Sequence, residues 1–146
     1  MGGVGGGGGR GGRGGRWNAP SLAMLYASPS RALACLETVV HLNAGGLPLN
    51  RYLVEIQVPG DVWSAARVET ETSLPVGWDA EPVGRASIAF GTSSAKSGAS
   101  LLLLVPSVIV PEESNVLVNP EHPDASRLRA RKVRKWLYDA RLRRGA

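Results

Sequence analysis

The sequence predicts one compact domain of mixed α and β structure, and three observations carry that reading. The chain is 146 residues long, which is one domain's worth. Hydrophobic residues make up 43% of it, enough to build a buried interior and to exclude a wholly disordered chain. Short β-rich runs are interleaved with one well-marked helix and a second, weaker one.

The elements follow in chain order. Residues 2–15 hold eleven of the nineteen glycines. Such a segment has little to bury and loses much backbone entropy on ordering, so residues 1–15 read as a flexible Gly/Arg-rich tail. Residues 24–28, Met-Leu-Tyr-Ala-Ser, read as a short strand. Ser28 is placed as an N-cap, with Pro29 at the first helical position. Ala32, Leu33, Leu36, Val39 and Val40 then recur at helical spacing, and Gly45-Gly46 ends the helix. Glu37 stands at the edge of that apolar stripe, where a carboxylate can look into a cleft beside the core. Residues 52–58 form a β-rich run stopped by Pro59-Gly60. Residues 60–82 are loop-rich, and residues 83–96 hold a short helix. Residues 100–105 and 107–110 read as strand interrupted by Pro106, and residues 115–119 as another strand. Residues 131–142 fit either a basic helix or a final strand.

Charge is unevenly spread. Residues 1–16 carry three arginines and no acid, and residues 127–146 carry nine basic residues against Asp139 alone. The intervening residues 17–124 hold five basic and eleven acidic residues. The net charge of +5 therefore comes from the two ends, which can meet nucleic acid or an acidic partner, while the body has no such bias, and direct nucleic-acid binding is not expected. Cys35 is the single cysteine, which fits a reducing compartment and allows no disulfide within the chain. No signal peptide is visible, and the most apolar run, residues 101–105, is too short to span a bilayer. A cytoplasmic protein with no membrane role is expected.

Two catalytic schemes can be set aside. His41 and His122 are the only histidines, and no spacing suits a zinc site, so no metal is expected. Ser107, His122 and Asp124 can be written as a hydrolase triad. But Ser107 does not sit on a strand–elbow–helix, and His122 lies within a Pro-Glu-His-Pro-Asp turn.

What remains is a set of polar residues in apolar settings: Arg16-Trp17-Asn18, Tyr26, Glu37 and Ser107. With their neighbours they resemble the RES domain. The motifs are Gly14-Gly15-Arg16-Trp17-Asn18, Leu25-Tyr26-Ala27-Ser28 and Ala32-Leu33-Ala34-Cys35-Leu36-Glu37. Leu74-Pro75 with Trp78, Val105 to Pro111, Asn119 to Asp124, and Tyr138 to Leu142 continue in the same order. The resemblance runs from about Gly14 to Leu142. It implies the α+β class, with a single compact domain over residues 16–146 similar to the split-sheet fold of ADP-ribosyltransferase toxins. Two departures stand out. The segment before the Gly-Gly-Arg-Trp-Asn motif is replaced by glycines, so the family's leading strand is expected to be missing. Ser94 also occupies a position where the family often has Trp.

The resemblance further implies a toxin of a bacterial toxin–antitoxin pair that takes NAD as substrate. Its partner would be a small Xre-type helix-turn-helix antitoxin, in a complex that can hold a toxin homodimer. In this family's chemistry the nicotinamide–ribose bond breaks through an oxocarbenium-like cation, as in glycoside cleavage. By resemblance Glu37 stabilises that cation, Tyr26 stacks on the nicotinamide, and Arg16 holds a phosphate of the dinucleotide. Ser107 and Asn119 would fix the leaving group or the ribose. Phosphate, water and a protein side chain all stay open as acceptors of the ADP-ribose. A second class stays open too: a truncated, catalytically weak or inactive copy of the domain that acts as a partner-binding module.

Overall fold

A computed structural model describes residues 2–5, 14–41, 47 and 49–143. Among the described residues seven strands form one sheet: β1 (Gly2–Gly5), β2 (Leu25–Ser28), β3 (Arg51–Gln57), β4 (Arg67–Val68), β5 (Leu102–Pro106), β6 (Ser114–Val118) and β7 (Arg129–Trp136). Their order across the sheet is β4-β5-β6-β2-β1-β3-β7, antiparallel at every step except β4–β5. The helices are α1 (Arg31–Val40), a single turn α2 (Gly60–Ser64) and α3 (Arg85–Ser97), with 3-10 turns at Pro123–Arg127 and Ala140–Arg143. Strands and helices are mixed in one domain, as the α+β expectation requires.

The sheet is apolar on both faces because alternate residues of its central strands serve two cores. Leu103, Val105 and Leu117 pack on one face with Trp17, Met24, Leu74 and Trp78, and Tyr26 and Phe90 lie against that cluster. Leu102, Val116, Val118 and Ala27 pack on the other face with Ile56 and Val62. Leu102 and Val105 are almost wholly withdrawn from solvent, so truncating Leu102 to Ala would cost about 2–5 kcal/mol.

The start of α1 lies two residues later than the sequence suggests. The N-cap is Ser30, whose hydroxyl accepts from the Leu33 amide at 3.1 Å. Ser28 instead ends β2, where it is buried and aligned with Val4 of β1. The buried residues of α1 are Leu33 and Ala34, while Val40 is 52% exposed. Glu37 follows Leu33 by one turn, so it lies within the sheet-facing stripe rather than at its edge. The proposed stop at Gly45-Gly46 lies outside the described residues.

Two further elements differ from expectation, and one open alternative is decided. The loop-rich stretch 60–82 contains α2 and the short edge strand β4. The strand does not continue to residue 110: the Ser107 amide closes the β5–β6 hairpin on the Glu113 carbonyl, and the Ser107 hydroxyl oxygen then takes the amides of Ile109 and Val110 into a turn. The basic C-terminal run resolves as strand β7.

The largest difference is at the N-terminus. A flexible tail and a missing leading strand were expected, yet Gly2–Gly5 form β1 between β2 and β3. An inner slot of a sheet needs main-chain donors and acceptors on both sides, and glycine supplies these without requiring room for a side chain. Residues 6–13 of the same segment lie outside the described residues. Gly14 and Gly15 belong to the folded body, since Gly15 bridges to Asn18.

Candidate functional site

Glu37 sits at the centre of a hydrogen-bonded cluster drawn from three separate parts of the chain. Its Oε1 accepts from the Ser107 hydroxyl at 2.6 Å and from Asn115 Nδ2 at 2.7 Å. The Ser107 oxygen in turn accepts from the amides of Ile109 and Val110, both at 3.1 Å. Ser28, at the end of β2, donates its hydroxyl to Asn115 Oδ1 at 2.7 Å. Ser28 and Ser107 are buried, at 3% and 0% exposure, so this support is held inside the protein. The sheet register explains why these residues meet. Ala27 pairs with Val116 and Val105 with Asn115, which places the ends of β2, β5 and β6 side by side beneath α1.

The consequence for the carboxylate is asymmetric. Two neutral donors fix Oε1, and among the described residues nothing donates to Oε2 and no cation pairs with Glu37. A carboxyl held this way leaves Oε2 open to a positive centre brought to it.

A second cluster lies on the same face of β2. Tyr26 precedes Ser28 by two residues, which is about 7 Å along a strand. Its hydroxyl donates to Asn18 Oδ1 and accepts from the Trp17 amide at 3.0 Å. Burial pushes the Tyr26 phenol up to about 12, against the opposing pull of the Trp17 amide and the Arg16 charge. Tyr26 is therefore a neutral donor and an aromatic surface at any working pH. Asn18 ties the turn together: Oδ1 also accepts from the Gly15 amide at 2.9 Å, and Nδ2 donates to the Leu22 carbonyl at 2.7 Å. This packing explains the glycine of the motif, because a Cβ at Gly15 would stand 2.5 Å from the Tyr26 hydroxyl oxygen.

Comparison with known proteins bears on this arrangement. A family model described as the RES domain matches residues 4–141. The chain belongs to the RES domain family. It is 67% identical over 130 residues to the Prs ADP-ribosylating toxin of Sphingobium sp. (strain YBL2), covering 89% of this chain and 81% of that protein. It is 34% identical over 106 residues to a Toxin Res of Yersinia enterocolitica, covering 73% of this chain and 68% of the relative. A Toxin Res of Pseudomonas putida is 34% identical over 128 residues, covering 86% of this chain and 83% of the relative.

Within this RES domain the residues singled out by sequence do not all gather in one place. Glu37 and Ser107 touch, and Tyr26 lies along the same strand face. Arg16 is adjacent through Trp17, but its guanidinium is engaged elsewhere. Nη1 donates to the carbonyls of Trp78 (3.3 Å) and Ala80 (2.8 Å), and Nη2 pairs with Glu81 at 2.7 Å. The Arg16 side chain is 11% exposed and that of Glu81 is 74% exposed. Arg16 thus holds the 78–81 loop and meets solvent through an acidic side chain.

Asn119 stands apart. It follows Asn115 by four residues at the other end of β6, about 13 Å away along the strand. Its Nδ2 donates to the Ala95 carbonyl at 3.0 Å and its Oδ1 accepts from the Glu121 amide at 3.1 Å. It joins α3 to the chain after β6. His122 also has a local task, its Nδ1 accepting from the Asp124 amide at 3.0 Å. An open groove of about 510 Å³ beside α3, lined by Ala19, Arg85, Ile88, Thr92 and Lys96 among others, contains none of these site residues.

Asn115 and Ser28 beside Glu37, and Asn18 beside Tyr26, are neighbours to which sequence reasoning gave no site role. Asn18 was visible within the Gly-Gly-Arg-Trp-Asn motif. Asn115 was not, because its place beside Glu37 depends on sheet register between segments 78 positions apart.

Proposed function

We propose that this chain is a RES toxin that uses NAD as substrate, breaks the nicotinamide–ribose bond and transfers ADP-ribose to a protein side chain. The observation that carries this reading is the Glu37 carboxylate, oriented through Oε1 by Ser107 and Asn115 while Oε2 takes no donor among the described residues. The likeness to the Prs ADP-ribosylating toxin of Sphingobium supports transfer over simple degradation, and it makes Prs the first acceptor to test.

The chemistry follows from the cluster. As the bond to nicotinamide breaks, the anomeric carbon becomes positive and nicotinamide leaves with the bonding electron pair. Glu37 faces that cation or holds a ribose hydroxyl, which lowers the barrier electrostatically. Ser107 acts through Glu37, since its only hydrogen goes to Oε1. Tyr26 offers a ring to the nicotinamide and keeps its proton throughout. An acceptor nucleophile then attacks the anomeric carbon and gives up its proton. In the cell the partner is a small Xre-type antitoxin that covers this site, and the toxin acts in the cytoplasm where NAD is available.

The competing reading, an inactive partner-binding copy, draws on Arg16. Its fork is occupied by the 78–81 loop and Glu81, so it does not stand open for a diphosphate. One experiment separates the readings. Purified protein is incubated with NAD labelled in the adenylate, with and without a Prs protein. Release of nicotinamide with label on Prs supports transfer. Release without labelled protein replaces transfer by NAD degradation, and no release in either case supports the binding module.

A further inference from the structure

Strand β7 ends the sheet, pairing with β3 on one side and with no strand of the described residues on the other. Its sequence is Arg-Ala-Arg-Lys-Val-Arg-Lys-Trp, and every residue but Trp136 is exposed. Five of those eight residues are cations, and one ion pair is described among them, Arg131 to Glu55 at 3.4 Å. Lys132 lies 4.5 Å over the Tyr52 ring and Arg134 lies 4.7 Å over the Trp136 ring.

The register sends these cations to both faces of the sheet. Arg129 and Arg131 stand opposite Gln57 and Glu55 on one face, and Lys132 stands opposite Val54 on the other. Past the irregularity at Leu53/Val54, Arg134 faces Leu53 and Lys135 faces Tyr52, again on alternate sides. Edge strands commonly carry charge to keep other chains away, but that works against like or apolar strands. Toward a strand of opposite charge the same edge is attractive, with main-chain groups for pairing and a cation beside each side-chain row.

We propose that the outer edge of β7 receives an extended acidic polypeptide segment of a partner protein, which adds to the sheet as an eighth strand. Cations on both faces match an added strand, whose carboxylates alternate between faces. A phosphate backbone would meet one face and leave the edge amides unpaired. This inference concerns an edge strand separated from β2 by β1 and β3, and it does not depend on the chemistry proposed for the Glu37 cluster.

The test uses the full chain and two labelled twelve-residue peptides, one repeating Glu-Glu-Val-Val, which sets carboxylates on both faces of a strand, the other repeating Glu-Glu-Pro-Pro. Both carry the same charge, but proline removes half the amide donors and disfavours strand pairing. Fluorescence anisotropy at low salt should show the Glu-Val peptide binding at least tenfold more tightly than the Glu-Pro peptide. Arg129→Gln combined with Arg131→Gln, Lys132→Gln and Lys135→Gln, all at exposed positions, should weaken the Glu-Val peptide at least tenfold. Amide exchange within residues 129–136 should slow when that peptide binds. Equal binding of the two peptides, unchanged exchange, or no binding would each overturn the proposal. So would a twenty-nucleotide single-stranded DNA that binds this edge more tightly than the Glu-Val peptide.

Discussion

The Ser107 hydroxyl donates to Glu37 Oε1 at 2.6 Å, joining two residues 70 positions apart in the chain. Ser107 has no exposure and its oxygen already accepts two main-chain amides, so the hydroxyl hydrogen has one direction to point. Ser107 therefore serves as a positioning residue for the carboxylate.

Ser107→Ala should then cost about 1–3 kcal/mol of stability, because the amides of Ile109 and Val110 lose their acceptor and Glu37 Oε1 loses one of its two donors. NAD turnover should fall about tenfold to hundredfold, with most of the loss in kcat and little in KM. Steady-state kinetics beside a thermal melt checks both. A pure stability loss with full turnover of the folded fraction would remove Ser107 from the site.

Gly91 offers a test of packing whose sign is unusual. A glycine inside a helix normally gains about 0.5–1 kcal/mol when replaced by alanine. In α3, however, a Cβ at Gly91 would overlap the Trp17 carbonyl and crowd its Cβ. Gly91→Ala should destabilise the fold by about 1–3 kcal/mol, measured by denaturant unfolding. The Arg16-Trp17-Asn18 turn would shift with it.

Alkaline unfolding should report on Tyr26. Its folded phenol titrates at about 12 against an ordinary value of 10.0. Below pH 10 both states keep the proton and the full stability is present. As pH rises from about 10 to about 12 the unfolded state loses its proton first, so stability falls by about 2–3 kcal/mol over that window. Tyr26→Phe should remove this decline. It should also cost about 1–2 kcal/mol at neutral pH through the lost bonds to Asn18 and Trp17.

Arg16 and Glu81 form a pair whose partners can be separated. Arg16→Ala should loosen the 78–81 loop and lower the melting temperature by several degrees, since two carbonyls lose a charged donor. Glu81→Gln should hardly change stability, because Glu81 is exposed. If Arg16 also holds the diphosphate, Glu81→Gln should tighten NAD binding about two- to tenfold, read by calorimetry. An unchanged affinity would confine Arg16 to the loop.

Much of this site could be read from the chain. Glu37 is legible because a carboxylate falls within a capped helix, and Ser107 because it interrupts an apolar run. Their contact with Asn115 and Ser28 was hidden, since it arises from pairing β2, β5 and β6 in one register. The start of α1 was misplaced because Ser28 and Ser30 are both good caps, and the sheet claims the first. β7 was ambiguous because its charges mask the alternation that marks a half-buried strand. β1 was invisible because glycine leaves no side-chain pattern, while its main chain pairs as well as any other.

The most direct measurement is the rate of nicotinamide release from NAD by wild-type protein and by Glu37→Gln, each shown to be folded by its melt. The substitution keeps the shape and the acceptor for Ser107 and Asn115 and removes the charge. The rate should fall at least about 100-fold, the size of a lost transition-state electrostatic contact. An unchanged rate would contradict the assignment of Glu37 as the group that faces the cation.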